Sequence, residues 1–413
     1  MQKSEDAVIF MQQNLDNIRL LFPEKLSLES LKNSHPDEPF SDDAIAFLNA
    51  LSTSLMHNPE VRKYPDMATF AFFCRKANLL ALKKEYATNC IRLGRGIVFH
   101  IAPSNVPVNF AYSLVAGILS GNTNLVRIPS KAFPQVDIIC QSINQIAMQT
   151  EYSKFAGRIY LFRYDRQSEA TATFSSICDV RIIWGGDDTI ADVRKSPIPS
   201  RAYDLTFADR YSFCIINADA YITEQYPDKV AMGFFNDTYL FDQNACSAPR
   251  LVVWTGGIQN ISKAKDKFWN SLQNVLTQKQ YYTPEVIAVN KLAAFYLQAV
   301  GHSIHKEPAI DNRLWRVEWD DLPADIDAYR CAAGYFAEHT ISSLDEVAAI
   351  VNRKYQTLAY YGYHPNELIE FVRRNKLNGI DRIVPIGKTT DFSLYWDGYD
   401  LIKSLSRIIS VDP

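Results

Sequence analysis

The spacing of hydrophobic and polar positions changes near residue 95. Before that point, apolar residues recur at helical spacing in three stretches, AVIFMQQNLDNIRLLF, DDAIAFLNALSTSLM and DMATFAFFCRKANLLALKKEYA. This period predicts an N-terminal helical layer over residues 1–90. From Ile97 onward, short apolar runs bounded by turn residues take over, and such runs are typical of buried strands.

Strand and helix patterns alternate between residues 91 and 235. The strand patterns are IVFHIA, NLVRI, RIYLFR and VRIIW, and helical stretches such as PVNFAYSLVAGILS lie between them. This alternation predicts right-handed βαβ units and a mainly parallel sheet. Such sheets bind ligands beyond the carboxyl ends of their strands, so the loops at residues 103–105 and 185–188 become candidate ligand-binding loops.

A second series of strand and helix patterns occupies residues 236–380. Its helical stretches are KAKDKFWNSLQNVL, TPEVIAVNKLAAFYLQAV and SLDEVAAIVNRKY, and its strands are CAAGYFAEHT and LAYYGY. Because 413 residues exceed one ordinary hydrophobic core, we expect a second α/β domain here. The last segment, residues 381–413, is rich in aromatic residues and glycine turns, and we expect it to be ordered.

Composition and charge narrow the functional class. The chain is 47% hydrophobic and 22% charged, with a net charge of -3. No dense basic block is present to neutralise phosphates, which argues against nucleic acid as the main partner. No run approaches the roughly 20 apolar residues of a transmembrane helix, and the N-terminus lacks the pattern of a secretory signal. These features predict a cytoplasmic enzyme or binding protein.

The segment with the clearest chemistry is FFNDTYLFDQNACSAPRLVVW, residues 234–254. Cys246 follows a polar run and precedes two small residues and Pro249, which disfavours helix before it. Small neighbours leave room for a second molecule at the sulfur, as a nucleophilic cysteine requires. The alternative is that Cys246 is a small buried hydrophobe, like most free cysteines. The seven cysteines are scattered along the chain and include no CxxC pair. This spacing fits neither a disulfide framework nor a zinc site.

The loop after VRIIW contains Gly185 and Gly186 at a strand-to-helix junction. Backbone amides at such a junction can receive a diphosphate. Asp187 and Asp188 oppose this interpretation, because acids in a first helical turn complement the helix dipole and repel phosphate. From these residues alone, the loop is equally well explained as a plain capped turn.

Four segments together resemble the acyl-CoA reductase family, typified by the fatty-acid reductase of bacterial bioluminescence, a branch of the aldehyde dehydrogenase superfamily. They are GRGIVFHIAPSNVPVNF, GNTNLVRIPSK, DQNACSAPRLVVW and DRIVPIGKTTDFSLYWDGYDL. The resemblance implies an aldehyde-dehydrogenase-like α/β fold with a Rossmann-type parallel-sheet cofactor domain at residues 91–235. It also implies a second α/β catalytic domain at residues 236–380, and a C-terminal segment that packs back on the cofactor domain.

The resemblance also implies roles for individual residues. Cys246 matches the superfamily's nucleophile, and Asn105 matches the residue that donates a hydrogen bond to the substrate carbonyl oxygen. Candidate contacts to the cofactor are Ser104, Arg127, Ser130, Lys131, Gly185 and Gly186.

Two departures from the superfamily pattern affect the cofactor and the reaction. Where aldehyde dehydrogenases carry a Lys before the Pro-Ser pair, this chain has Ile128, with Arg127 and Lys131 nearby. This basic pair is compatible with a 2′-phosphate and hence with NADPH, although both residues also fit as ordinary surface cations. No Glu-Leu-Gly-Gly motif, which supplies the base for deacylation in the dehydrogenases, occurs around residues 206–209.

The resemblance therefore implies reduction of an acyl thioester, such as a long-chain acyl-CoA, to an aldehyde with NADPH through an acyl-enzyme on Cys246. Two alternatives stay open: an aldehyde dehydrogenase that makes acids, and a non-catalytic scaffold subunit. An acyl-transferring protein partner and a homo-oligomer are also compatible with the resemblance.

Overall fold

The computed structural model describes residues 18–26, 31, 33–86, 90–103, 106–165 and 168–411. The chain divides into two compact units. The first unit runs to Ala208 and includes Ser393–Tyr395 and Tyr399–Pro413. The second unit comprises Asp209–Phe392 and Trp396–Gly398.

The strands, in chain order, are β1 (Arg19–Phe22), β2 (Ile91–Gly94), β3 (Ile97–Ile101), β4 (Thr123–Arg127), β5 (Ile159–Arg163), β6 (Val180–Trp184), β7 (Tyr203–Phe207), β8 (Tyr211–Asn217), β9 (Pro249–Thr255), β10 (Ile304–Lys306), β11 (Trp315–Trp319), β12 (Tyr335–Thr340), β13 (Tyr355–Tyr361), β14 (Arg382–Pro385), β15 (Tyr395–Trp396), β16 (Tyr399–Asp400) and β17 (Ser406–Ile409).

The α-helices are α1 (Asp42–His57), α2 (Pro65–Phe73), α3 (Lys76–Glu85), α4 (Asn109–Leu119), α5 (Pro134–Ala147), α6 (Ala170–Ser175), α7 (Asp187–Val193), α8 (Ala218–Tyr221), α9 (Pro227–Thr238), α10 (Ile258–Gln278), α11 (Glu285–Gly301), α12 (Asp345–Ala348), α13 (Pro365–Arg374) and α14 (Leu401–Ser404). Short 3-10 helices are Pro59–Lys63, Thr150–Gly157 and Ile326–Ala328.

The first unit is built on a sheet with the strand order β1-β5-β4-β3-β6-β7 among the described residues. Strands β3 to β7 run parallel, as their alternation with helices predicts, and β1 pairs antiparallel with β5. Aromatic residues fill one core beside this sheet, where the rings of Phe162 and Phe174 stack with centroids 4.5 Å apart. The last strand, β17, pairs antiparallel with β2.

Two predicted helices of the N-terminal layer differ in the structure. Arg19–Phe22, predicted as the end of a helix, is strand β1, because the edge of β5 offers it backbone hydrogen-bond partners. The stretch DMATFAFFCRKANLLALKKEYA forms two helices, α2 and α3, interrupted at Cys74 and Arg75. The part of the first predicted helix that lies in residues 1–17 is outside the described residues.

The second unit is built on a sheet with the strand order β10-β11-β12-β9-β8-β13-β14 among the described residues. All neighbouring strands are parallel except β10, which is antiparallel to β11. Successive residues of β8 enter different cores: Cys214 and Ile216 face one cluster, and Phe213 and Ile215 face the other. The sheet is therefore buried on both faces, which explains its continuous apolar strands.

The boundary between the units lies at Ala208, earlier than the residue 235 suggested by the sequence pattern. The reason is β8, which pairs with β9 and β13 and so belongs to the second sheet. The C-terminal segment is also divided: β14 joins the second sheet, whereas β17 joins β2 of the first unit. Within the described residues, no helix combines the length and apolar character needed to span a membrane.

Candidate active site

Cys246 lies in the loop that joins α9 to β9, at the amino-terminal edge of the second sheet. Two consecutive residues of this loop, Asp242 and Gln243, adopt left-handed backbone conformations with φ of 50° and 58°. Conformations of this kind cost free energy in non-glycine residues and persist only where surrounding contacts impose them. Contacts of that kind surround Gln243.

The fully buried side chain of Gln243 fixes the loop to two strands. Its amide nitrogen donates to the carbonyl oxygens of Pro249 (3.1 Å) and Tyr335 (3.2 Å). Its amide oxygen accepts from the backbone N–H groups of Gly334 (2.7 Å) and Tyr335 (3.1 Å). The loop that carries Cys246 is thus anchored at the starts of both β9 and β12.

Residues at the start of β8 hold Cys246 itself. The hydroxyl of Ser212 donates to the Cys246 carbonyl (2.7 Å) and accepts from the N–H of Thr357 (3.1 Å). The backbone N–H of Arg210 forms a hydrogen bond with the Cys246 sulfur. The strand pairing is irregular at Ser212 in β8 and after Tyr355 in β13, and such bulges redirect side chains near sites.

Cys246 is half-buried, in contrast to four buried cysteines: Cys74, Cys140, Cys178 and Cys214. Burial raises the pKa of Cys246, and the charges of Asp397 and Asp209 raise it further. The Arg210 N–H and the Arg250 guanidinium act in the opposite direction. The thiol is therefore protonated at neutral pH in the free protein.

A buried carboxylate, Asp397, lies in the same part of the second unit. Its side chain is 3% exposed, and the amide nitrogen of Gln356 donates to it. The guanidinium of Arg210 lies 4.0 Å from its other oxygen. Burial raises the pKa of Asp397 to about 6, even though Gln356 and Arg210 favour its charged form.

The segment RIVPIGKTT is anchored to helix α9, which leads into the Cys246 loop. The carboxylate of Asp237 accepts from the N–H groups of Gly387 (2.6 Å) and Thr389 (2.9 Å). The guanidinium of Arg382 donates to the carbonyls of Thr389 (2.7 Å) and Lys388 (2.9 Å). These bonds fix the loop after β14 from both sides.

In the first unit, two groups of candidate cofactor contacts follow the carboxyl ends of strands. After β4, the guanidinium of Arg127 lies 4.7 Å from the ring centroid of Tyr164, and the ammonium of Lys131 lies 5.0 Å from that of Phe133. Ser130, between them, is exposed. The structure thus leaves Ser130 and Lys131 open to solvent, while Arg127 is partly engaged by Tyr164.

After β6, Gly186 opens helix α7 without a side-chain cap. A Cβ on Gly186 would meet no atom within 4 Å, whereas one on Gly185 would lie 2.9 Å from the Thr189 side chain. A phosphate group can therefore approach the backbone at Gly186. Asp187 and Asp188 lie in the first turn of α7, as the sequence indicated, and both are exposed.

Ser104 and Asn105 lie outside the described residues, so their roles stay predictions. The sequence did not predict four polar residues of this part of the second unit: Arg210, Ser212, Gln243 and Asp397. The only sequence signals for them were the polar run before Cys246, which contains Gln243, and the Asp-Gly turn at residues 397–398.

A model of the family described as acyl-CoA reductase (LuxC) matches residues 77–408. The chain belongs to this family. The chain resembles the long-chain acyl-protein thioester reductase of Vibrio harveyi, with 23% identity over 88% of this chain and 76% of that protein. The protein of the same name in Aliivibrio fischeri is 22% identical over 76% of this chain and 64% of its own length. The chain thus spans less than two thirds of that second relative.

Solved aldehyde dehydrogenase structures share the fold of this chain. Aldehyde dehydrogenase 21 from Physcomitrella patens superposes with a TM-score of 0.64 at 12% identity, over 89% of this chain and 85% of that one. Glyceraldehyde-3-phosphate dehydrogenase GapN from Methanocaldococcus jannaschii superposes with a TM-score of 0.61 at 12% identity. The superposition covers 99% of this chain and 93% of that one. The predicted aldehyde-dehydrogenase-like α/β fold is confirmed.

Proposed function

We propose that this acyl-CoA reductase family member reduces a long-chain fatty acyl thioester to the aldehyde with NADPH, through an acyl-enzyme on Cys246. The observation that carries the proposal is the half-buried Cys246, held by Ser212 and Arg210 in a loop anchored by Gln243. The names of the relatives, long-chain acyl-protein thioester reductase, support a thioester substrate. Acyl-CoA and an acyl group on a partner protein present the same thioester carbonyl to the thiol.

The first step is thiol exchange. The Cys246 sulfur attacks the carbonyl carbon, the bond to the donor sulfur breaks, and the proton of Cys246 passes to the departing thiolate. Because attacking and leaving groups are alike, the exchange is nearly balanced in free energy. The hydrogen bonds from Ser212 and Arg210 fix the nucleophile, so little orientational freedom is lost at this step.

Negative charge on the carbonyl oxygen requires hydrogen-bond donors. In this proposal the donors are the side-chain amide of Asn105 and the backbone N–H of Cys246. One donor of this kind typically contributes about 3 kcal/mol to transition-state stabilisation. Replacing Asn105 with Ala would accordingly lower the rate by a hundredfold or more.

Residues of the first unit fit a phosphate-bearing nicotinamide cofactor. Lys131 and Ser130 are exposed after β4, and Gly186 leaves its backbone open after β6. Arg127 and Lys131 would hold a 2′-phosphate, and Ser104, Gly185 and Gly186 would contact the rest of the dinucleotide. When bound, the reduced nicotinamide would supply a hydride to the acyl carbon. The bond from that carbon to the Cys246 sulfur then breaks, the aldehyde is released, and the sulfur takes up a proton.

The fate of the acyl group favours reduction over acid formation. The carboxylate nearest to the position of the missing motif, Asp209, is paired with the guanidinium of Arg330. A carboxylate engaged by a guanidinium is less available to orient an attacking water molecule. This supports a reductase and disfavours the oxidative alternative, and the half-buried thiol disfavours a scaffold without catalysis.

The experiment follows NADPH absorbance after addition of a long-chain acyl-CoA to the purified protein. We expect cofactor oxidation with aldehyde formation, and a loss of at least a thousandfold in Cys246→Ala, because the covalent step is removed. The matched control is Cys331→Ala, which deletes the other half-buried thiol of the second unit and should retain activity. A parallel sample with NADH tests the proposed preference for NADPH.

Two outcomes would contradict the proposal. Reduction of NADP+ by a fatty aldehyde without CoA, in the absence of any reaction with acyl-CoA, would identify a dehydrogenase. Full activity in Cys246→Ala would exclude the acyl-enzyme.

A further inference from the structure

Helix α11 turns polar side chains inward and apolar side chains outward. Its buried residues are Lys291 and Gln298, and Phe295, between them in sequence, packs against one core of the second sheet. A surface helix ordinarily shows the opposite arrangement, with its apolar stripe toward the core. The large apolar residues of the outer face are between 46% and 88% exposed: Val286, Val289, Leu292, Tyr296, Leu297 and Val300.

Hydrogen bonds of the two buried residues fix this orientation of the helix. The ammonium of Lys291 donates to the carbonyls of Asn312 (2.7 Å) and Ala333 (2.6 Å). The amide oxygen of Gln298 accepts from the hydroxyl of Tyr335 (2.6 Å). Buried polar groups need such partners, so rotating the helix to bury its apolar face would break all three bonds. The outward direction of the apolar side chains is therefore imposed by specific contacts.

The outer face is symmetric in sequence about Ala293, which is itself exposed. Val286 and Val300 lie seven residues before and after it, and Val289 and Leu297 lie four residues before and after it. At these spacings the five side chains share one stripe, about 21 Å long.

This symmetry makes the stripe complementary to itself. When two copies of a helix pack antiparallel about a two-fold axis, each residue meets the one equally far from the centre on the other copy. Val286 of each copy would meet Val300 of the other, and Val289 would meet Leu297. The small Ala293 would lie on the axis, where the two helices approach most closely.

The charges at the two ends of α11 favour the same antiparallel arrangement. Glu285 is exposed at the start of the helix, and Lys306 is exposed shortly after its end. His305 and Glu307, beside Lys306, contact each other at 3.3 Å. The one other charged residue of the helix, Lys291, is turned inward. Antiparallel packing brings Glu285 of each copy toward the basic end of the other, and it also aligns the helix dipoles favourably.

The size of the outer face fits a contact between proteins. Monomeric proteins rarely expose contiguous apolar patches larger than a few hundred Å². A stable dimer buries about 800 Å² on each partner, and the outer face of α11 supplies only part of that area. We therefore expect the contact to dissociate on dilution.

The outer face does not have the character of a membrane-binding helix. Helices that lie on membranes usually carry Lys and Arg on the polar face that remains in water. The polar face of α11 is packed against the protein, and its single Lys is bonded to two carbonyls.

We propose that the outer face of α11 is a dimer surface, on which a second copy of this chain packs its own α11 antiparallel about a two-fold axis through Ala293. Assembly through this surface does not depend on the proposed reaction.

The test measures the mass of the full chain by analytical ultracentrifugation between about 0.5 and 50 µM. We expect wild type to reach at least twice the 47.0 kDa of one chain and to dissociate on dilution. Val289→Lys should halve the mass reached at the highest concentration, because it places an ammonium against Leu297 of the other copy. The matched control is Ile369→Lys, which changes an exposed apolar residue inside helix α13 and should leave the mass unchanged.

A double substitution tests the antiparallel register. Val289→Lys combined with Leu297→Glu should restore the wild-type mass, because each introduced ammonium would face the introduced carboxylate of the other copy. The two positions are eight residues apart, too far for an ion pair within one helix. Val289→Lys combined with Leu297→Lys should remain dissociated.

Three results would overturn the proposal. The first is a wild-type chain that stays monomeric over the whole concentration range. The second is a Val289→Lys variant with the mass of wild type, and the third is a Lys–Glu double variant that dissociates as the single variant does. A monomeric wild type that sediments with phosphatidylcholine–phosphatidylglycerol vesicles, when Val289→Lys does not, would assign the outer face to lipid instead.

Discussion

At the scale of single residues, Gln243 determines the shape of the Cys246 loop. Its side chain forms four hydrogen bonds with buried backbone groups of Pro249, Gly334 and Tyr335. Replacement by Ala would remove four hydrogen bonds to buried backbone groups, at a cost of about 3 kcal/mol in the free energy of unfolding. Urea denaturation measures this loss.

The control for Gln243→Ala is Gln225→Ala, which truncates an exposed glutamine of the same unit and should change stability by less than about 0.5 kcal/mol. Equal effects of the two substitutions would show that the Gln243 contacts contribute nothing specific.

The same residues show how far local sequence predicts a site. Cys246 was recognisable because its turn, its small neighbours and Pro249 are adjacent in sequence. Arg210 and Asp397 were not, because β8 pairs with β9, and Arg210 approaches Asp397, only after the second sheet has formed. The raised pKa of the thiol, which burial causes, likewise arises only in the folded chain.

At the scale of elements, helix α9 and the loop after β14 meet through two glycines. A Cβ on Gly233 would lie 3.1 Å from the Cα of Gly387, and Gly387 has φ of 92°. An interior Gly→Ala substitution normally stabilises a helix by up to about 1 kcal/mol. We expect Gly233→Ala to destabilise instead, by about 1 to 2 kcal/mol, because the methyl group forces apart two backbones joined through Asp237.

Thermal unfolding of Gly233→Ala measures this effect, and Gly301→Ala is its matched control. Gly301 ends helix α11, and a Cβ there would meet no atom within 4 Å. That substitution should leave the melting temperature unchanged or slightly higher. Stabilisation by Gly233→Ala would show that the loop adjusts without cost.

The sequence predicted strands correctly where the hydrophobic pattern of a segment agrees with its pairing in the sheet. Strands β3, β4, β5 and β6 were predicted at nearly their observed bounds, because they are short apolar runs buried on both faces. Arg19–Phe22 was wrongly assigned to a helix, since a four-residue apolar run carries no period and its partner β5 lies far along the chain. The helix predicted to begin at Ser343 is observed as α12, which is four residues long.

At the scale of the whole molecule, each unit contains a buried titratable group, and the two groups change the stability of the fold with pH in opposite directions. In the second unit, burial raises the pKa of Asp237 to about 7. In the first unit, burial lowers the pKa of His100 to about 4, and its ring nitrogens contact Ser113 (2.8 Å) and Asn124 (3.0 Å). Asp237 is therefore held in its neutral form up to about pH 7, and His100 is neutral down to about pH 4.

The two groups predict opposite slopes of stability with pH. An unfolded aspartate has a pKa of about 4, so the folded chain binds more protons than the unfolded chain between pH 4 and 7, and the contribution of Asp237 falls as pH rises. An unfolded histidine has a pKa of about 6.5, so the contribution of His100 is present above that pH and is lost as pH falls toward 4.

Variant differences isolate each slope from other titrating groups. The unfolding free energy of wild type relative to Asp237→Asn should fall by on the order of 2 kcal/mol between pH 5 and 8. Relative to His100→Gln, it should rise by a similar amount between pH 4 and 6.5. Urea titrations followed by tryptophan fluorescence report mainly on the second unit, which contains Trp254, Trp269, Trp315, Trp319 and Trp396. Circular dichroism follows both units, and slopes of equal sign in the two comparisons would contradict the assignment of neutral forms to these buried groups.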